Sequence, residues 1–226
     1  MIVGGIQKSS TIDFPGMISC VIFTRGCNLD CFYCHNRELL GDGPNIDEDE
    51  IMTFLKKRQG LLDGVVISGG EPTLQPDLKE FAKQVKGLGY SIKLDTNGQR
   101  PDAVEDLCKA NLLDYVAVDI KARKDEYTRV TRCEGFEKAL ETLEVLRANG
   151  VDFEVRTTLY PSMTVDKLLD LLNDLPKMPM WRLNYFQMPD LIKKCDEEIV
   201  NAKALTKIKV SSYENILKAI QPNLVF

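Results

Sequence analysis

The stretch Gly64-Val65-Val66-Ile67-Ser68-Gly69-Gly70-Glu71-Pro72 joins a short apolar run to a glycine-rich polar loop. Turn residues bound the run of Val and Ile on both sides, so it reads as a strand. The same unit recurs in both directions along the chain. Runs at 18–23, 91–95, 115–119, 153–158 and 181–186, together with 64–68, predict six strands. Segments of helical spacing separate them. Asp47, with Glu50 three residues on, makes a capping-box start for a helix carrying Ile51, Phe54 and Leu55. Pro76 and Pro101 suit the first turns of the next two helices, where a missing amide hydrogen costs nothing. Phe136, Ala139, Leu140, Leu143 and Leu146 trace one apolar stripe that stops at Asn149-Gly150. Leu168, Leu169, Leu171 and Leu172 belong to another helix, and a last one is expected over 213–220.

Strands alternating with helices imply a parallel sheet joined by right-handed crossovers. Six such units fall short of the eight that close a full barrel. The expected fold is therefore α/β, a partial (β/α)6 TIM-type barrel, with a doubly wound sheet as the alternative. No repeat or linker-like tract breaks the alternation. A single domain over 1–226 is expected, its core at about 17–190 and a helical tail at about 191–226.

Composition narrows the function classes. The 226 residues are 44% hydrophobic and 28% charged, with a formal net charge of −5. A sequence pI near 5.1 argues against broad binding to nucleic acid, whose phosphates demand a basic footprint. No stretch approaches the ~20 consecutive apolar residues of a membrane-spanning helix. The opening residues carry no signal-peptide pattern, so a soluble, cytoplasmic protein is expected. Seven cysteines cannot all pair, which fits a reducing compartment. Cys27, Cys31 and Cys34 crowd into eight residues; Cys20, Cys108, Cys133 and Cys195 are scattered and read as buried or incidental thiols.

Polar residues follow the strands. Arg25-Gly26-Cys27 comes after the first, Gly69-Gly70-Glu71 after the second and Asp95-Thr96-Asn97 at the end of the third. Asp119-Ile120-Lys121, Arg156-Thr157-Thr158 and Asn184-Tyr185 end the other three. In parallel α/β folds these carboxyl ends converge on one face, where ligands bind. One site is expected there. Its centre is Cys27-x3-Cys31-x2-Cys34. A structural zinc site would need four ligands and usually has two separated cysteine pairs. His35 could supply the fourth on paper, although neighbours such as Cys34 and His35 tend to point apart. The alternative is an iron–sulfur cluster, which compact cysteine runs ligate. Three cysteines on a four-iron cluster leave one iron open to a substrate or cofactor.

Cys27-x3-Cys31-x2-Cys34, with Tyr33 before the last cysteine, resembles the cluster motif of the radical S-adenosylmethionine (SAM) superfamily, and Gly69-Gly70-Glu71-Pro72 resembles its second motif. Thr11-Ile12-Asp13-Phe14-Pro15-Gly16, Tyr33-Cys34-His35-Asn36, Lys93-Leu94-Asp95-Thr96-Asn97-Gly98, Val118-Asp119-Ile120-Lys121 and Arg156-Thr157-Thr158 narrow the resemblance to glycyl-radical-enzyme activases. Among these, the chain looks most like activators of the anaerobic ribonucleoside-triphosphate reductase. Other activases carry an inserted ferredoxin-like domain with further cysteine sets, and none lies between Cys34 and Gly69.

The resemblance implies a [4Fe-4S] cluster held by Cys27, Cys31 and Cys34, with SAM chelating the open iron. Reductive cleavage of SAM would yield a 5′-deoxyadenosyl radical, which takes a hydrogen atom from a glycine of the partner enzyme. Tyr33, Cys34 and His35 would touch the adenine. Gly69 and Gly70 would let the backbone approach the ligand, and main-chain oxygens or Glu71 would accept from the methionine ammonium. Asp95 would face that ammonium, with Asn97 beside it. Lys121 and Arg156 suit the carboxylate. Asn184 substitutes for a ribose-contacting histidine, because no histidine follows His35. A monovalent cation is expected near Asp95 and Asp119, and Lys124, Asp125 and Glu126 form a less specific SAM segment. Flavodoxin or ferredoxin is the expected electron donor, with no nucleic acid or membrane partner. Three other readings stay open: a pyruvate formate-lyase-type activase, a radical SAM enzyme acting on a small molecule such as a nucleoside or pterin, and a non-catalytic iron–sulfur or zinc module.

Overall fold

A computed structural model describes residues 1–226. Eight strands form one sheet: β1 Val3–Ser10, β2 Ser19–Thr24, β3 Gly64–Gly69, β4 Ser91–Thr96, β5 Tyr115–Asp119, β6 Asp152–Leu159, β7 Trp181–Tyr185 and β8 Leu224–Val225. Their spatial order equals their chain order. Every pairing from β2 onward is parallel, while β1 runs antiparallel to β2. A doubly wound sheet reverses its order at a switch point. This sheet never reverses, so successive crossovers curl it one way into a partial barrel. β1 and β8 do not pair with each other, and the seam between them stays open.

All six expected strands form within a residue of their predicted bounds. The two additional strands lie at the edges. β1 reads VGGIQKSS, too glycine-rich and polar for an apolar-run signal, and β8 is two residues long. The tail therefore carries a strand besides its helices.

Nine α-helices accompany the sheet: α1 Glu48–Arg58, α2 Leu78–Gly87, α3 Pro101–Lys109, α4 Lys124–Thr131, α5 Phe136–Asn149, α6 Val165–Asn173, α7 Glu197–Val200, α8 Lys207–Ser211 and α9 Glu214–Ile220. Asp47 caps α1, accepting from the Asp49 amide rather than reaching Glu50. Pro101 opens α3 as expected, but Pro76 precedes Asp77, the N-cap of α2, and so lies outside its first turn. Gly150 ends α5 in the left-handed region at φ 66°. No helix is long and apolar enough to cross a membrane.

The apolar residues divide between two cores. A cluster of 51 buried residues fills the layer between the sheet and its helices. At roughly 25 cal/mol per Å2 of buried apolar surface, this layer supplies most of the fold's stabilisation. A second cluster, Phe14, Val21 and Val66, sits apart from it with Met17, Phe23 and Tyr115 against it. Phe14 comes from the loop after β1. A Cβ on Gly64 would meet its ring at 2.8 Å, so glycine makes room for this plug at the start of β3.

Candidate functional site

The cysteine loop leaves β2 and is held from both sides. The Asp30 amide donates to the Thr131 carbonyl at 2.9 Å and the Phe32 amide to the Val130 carbonyl at 3.2 Å, tying the loop to α4. Asp30 accepts from Arg37 at 2.7 Å and Arg132 at 3.2 Å, and also from Lys193. Burial works against this carboxylate, but the three cationic donors hold its pKa at about 2. Asp196 joins the group through Arg132 and is 1% exposed. The charged run 193–198 thus reaches the cysteine loop.

On the other side, the end of β3 presses against the root of that loop. The Gly70 amide donates to the Thr24 carbonyl at 2.9 Å, and the Glu71 amide to the Gly26 carbonyl at 2.8 Å. A Cβ on Gly70 would stand 2.0 Å from the Gly26 oxygen; on Gly69, where φ is 115°, it would stand 2.3 Å from the Thr24 nitrogen. The paired glycines make room for the backbone that launches the cysteines.

A cavity of about 850 Å3 opens here, bordered by Cys27, Cys31, Tyr33, Cys34, His35, Gly69, Gly70, Glu71, Asp95, Asn97, Asp119, Lys121, Arg156 and Asn184. Its volume is at the upper end of the ~300–1,000 Å3 usual for ligand sites. Lys124, Asp125 and Glu126 do not border it. Lys124 pairs with Glu137, and Glu126 with Lys167 and Arg129, so these charges are spent on other surface groups.

Glu71 behaves otherwise than expected. It is fully buried, and its carboxylate accepts from the Thr73 amide at 3.1 Å, the Thr73 hydroxyl at 2.5 Å, the Thr96 hydroxyl at 2.7 Å and the Asn97 amide at 2.7 Å. Burial pushes its pKa up against those bonds. With three of these bonds on Oε1 and one on Oε2, Glu71 caps the short turn Pro72–Leu74 and fixes the end of β4.

Inside the barrel an ionic chain crosses three strands. Lys93 Nζ meets Asp95 Oδ1 at 2.7 Å, Asp95 Oδ2 meets Arg156 Nη1 at 3.1 Å, Arg156 Nε meets Asp119 Oδ1 at 2.9 Å, and Asp119 Oδ2 meets Lys121 Nζ at 2.8 Å. Ser68 Oγ also donates to Asp95 at 3.2 Å. Burial alone would raise Asp119, but Arg156 and Lys121 outweigh it and hold it at about 2. Burial would discharge Arg156 and Lys121; the facing carboxylates hold both above their ordinary range. Asp95 and Asp119, where a cation or ammonium was expected, each face two protein cations.

Sequence reasoning missed Lys93, which holds Asp95. The signal was present: Lys93 and Asp95 are two apart on a strand and so share a face, and a lysine between Ile92 and Leu94 in a central strand needs a buried partner.

The three thiols fit an iron–sulfur cluster better than zinc. No group of three or more His, Cys, Asp or Glu side chains converges closely enough to hold a single ion, whereas a cluster offers each thiolate its own iron. All three cysteines are unpaired. Burial pushes the Cys27 thiol up to about 11 and Cys31 to about 12. Two phenols on the same cavity wall, Tyr33 and Tyr185, bury hydroxyls that have no partner within the chain. Tyr33 stacks on Tyr160, with ring centroids 5.8 Å apart and planes within 8°. His35 is exposed at the rim.

The chain matches the family model described as the radical SAM superfamily over residues 21–175. It is 38% identical over 197 residues to a Methanocaldococcus jannaschii protein named as a glycyl-radical enzyme activating enzyme, covering 84% of this chain and 81% of that one. It is 28% identical over 237 residues to the pyruvate formate-lyase-activating enzyme of Clostridium pasteurianum, covering 96% and 97%. Among solved structures, SuiB of Streptococcus suis superposes with a TM-score of 0.68 at 15% identity over 91% of this chain. AdoMet-bound anSMEcpe superposes with a TM-score of 0.66 at 20% identity over 88%. This chain spans 47% and 60% of those two proteins, and the likeness at such identity concerns the fold. A family match over more than half of the chain, joined to 38% identity along most of a relative's length, means that the chain belongs to the radical SAM superfamily.

Proposed function

We propose that this chain cleaves SAM reductively and installs a glycyl radical on a partner enzyme, with the anaerobic ribonucleoside-triphosphate reductase as the favoured partner. Membership of the superfamily implies a [4Fe-4S] cluster and SAM. When bound, they supply a one-electron cleavage that releases methionine and a 5′-deoxyadenosyl radical.

The observation that carries the activase reading is the unpaired seam between β1 and β8. The cavity extends from the cysteine loop to Asp13 after β1, Arg182 within β7 and Phe226 after β8. That leaves room for an extended peptide beside a cofactor. The M. jannaschii relative's name supports the same reading, and the C. pasteurianum relative supports a formate-lyase partner as the second choice.

The remaining roles belong to the chain's own groups. Cys27, Cys31 and Cys34 hold the cluster, and Tyr33 and His35 border the adenine side. Lys93, Arg156 and Lys121 are three cations facing two carboxylates, Asp95 and Asp119. The one surplus positive charge suits the SAM carboxylate, held by Lys121 or Arg156. Asn184 offers its amide to the ribose, with the Tyr185 hydroxyl at the same wall. A flavodoxin or ferredoxin supplies the electron. A reducing cytoplasm suits the free thiols.

Because Lys93 and its neighbours already balance the carboxylates, SAM cleavage is expected to be indifferent to K+ or Na+. Rates in potassium, sodium and tetramethylammonium salts at equal ionic strength check this. A tenfold dependence would restore the cation site.

The function itself is tested by anaerobic incubation of the reduced, reconstituted protein and SAM with each candidate partner. Electron paramagnetic resonance should report a glycyl-radical doublet on one of them. No doublet on either, together with consumption of a small metabolite, would falsify the activase reading.

A further inference from the structure

We infer that Asn97, through its side-chain amide, sets the electron affinity of the cluster at Cys27. The inference rests on the reading that Cys27, Cys31 and Cys34 hold that cluster.

Asn97 is 4% exposed. Its Nδ2 lies 3.8 Å from Cys27 Sγ and 2.8 Å from Asn28 Oδ1, so its two hydrogens have two acceptors. The Leu29 backbone amide adds a second donor to Cys27 Sγ at 3.4 Å. The Cys31 and Cys34 sulfurs receive no such bond. The orientation of the Asn97 amide is fixed from both ends. Its Oδ1 accepts from the Gln99 amide at 3.0 Å, and its own backbone amide is held by Glu71 at 2.7 Å. A flipped side chain would set its oxygen against the Asn28 oxygen and lose the Gln99 bond. Glu71, buried and itself held by Thr73 and Thr96, is thus the anchor that aims Asn97 at the sulfur.

A metal-bound thiolate is a better acceptor than a thiol, and its negative charge grows when an electron is added. An N–H dipole aimed at it therefore favours the reduced state and raises the potential. Asn97 is a positioning residue in this account, acting on the cluster through its ligand.

The test compares reconstituted full-length protein with its N97S variant in a dithionite titration with mediators, each reduced cluster taking one electron. N97S is expected to lower the reduction equilibrium constant about tenfold, which for one electron is 59 mV more negative. The Leu29 donor persists, so the loss is partial. A change smaller than threefold would overturn the inference. Should N97S fail to fold, the wild type carrying 15N-labelled asparagine decides by pulsed electron paramagnetic resonance. Hyperfine coupling to a side-chain 15N in the reduced protein is expected, and its absence would overturn the inference. Failure of the underlying reading looks different: wild-type protein would then take up no four-iron cluster, as judged by iron and sulfide content.

Discussion

With Cys31 replaced by Ala, the reconstituted protein is expected to lose its four-iron cluster and to produce no 5′-deoxyadenosine from SAM. The physical reason is ligand count, because a cluster already lacking one protein ligand would be left with two. The loop itself should survive. Its backbone is tied to α4 by the Asp30 and Phe32 amides, and the Cys31 carbonyl is held by the Cys34 amide at 3.0 Å and by Arg37. None of these bonds uses the thiol. Cys31 is 7% exposed, so losing its sulfur leaves a small void costing about 1 kcal/mol. The expected signature is a nearly unchanged melting temperature for the metal-free protein with loss of iron, sulfide and turnover. Retained SAM cleavage would rule out Cys31 as a ligand.

Arg156→Met should act on stability as strongly as Cys31→Ala acts on chemistry. Arg156 is the only residue that touches both Asp95 and Asp119, and its side chain is 18% exposed. Removing one partner of a buried ion pair costs about 3–5 kcal/mol, because the charge left behind is uncompensated. Here two carboxylates lose a partner, although Lys93 and Lys121 remain. Urea denaturation of the metal-free protein at pH 7 should register the loss.

The acid limb should move as well. In the wild type, Asp119 is held at about 2, below its ordinary 3.8. Its contribution is therefore complete above pH 3.8 and disappears as the pH falls through about 2. Without Arg156 the folded-state value rises towards 3.8, so the contribution is smaller and its loss, which still begins near 3.8, is complete at a higher pH. Equal denaturation midpoints for the two proteins between pH 3 and 7 would show that the ionic chain contributes nothing.

What the sequence revealed depended on whether a side chain's partners were near in the chain. The parallel strands were legible because each is an apolar run between turn residues. β1 and β8 were not, since an edge strand needs little apolar character and takes its definition from a neighbour. The cysteine loop was legible through its spacing. Most site residues were located by the strand ends that carry them, and all but Lys124, Asp125 and Glu126 border one cavity. Their roles were less accessible. Glu71 looked available to a ligand until Thr73, Thr96 and Asn97 were found around it, and Asp95 looked uncommitted until Lys93 and Arg156 reached it. Lys93 is only two residues from Asp95, but Arg156 is 61 residues away along the chain.

The strand order has a consequence for how the chain folds. Each strand pairs with the one made just before it, so the sheet can grow unit by unit from the N-terminal side during synthesis. A closed ring would demand a last step that brings the first and last strands together across the whole chain, the costliest loop to close. Since β1 and β8 never meet, that step does not exist. Folding should proceed without a late ring-closing phase, and circular permutants that join the ends across the gap would have to introduce one.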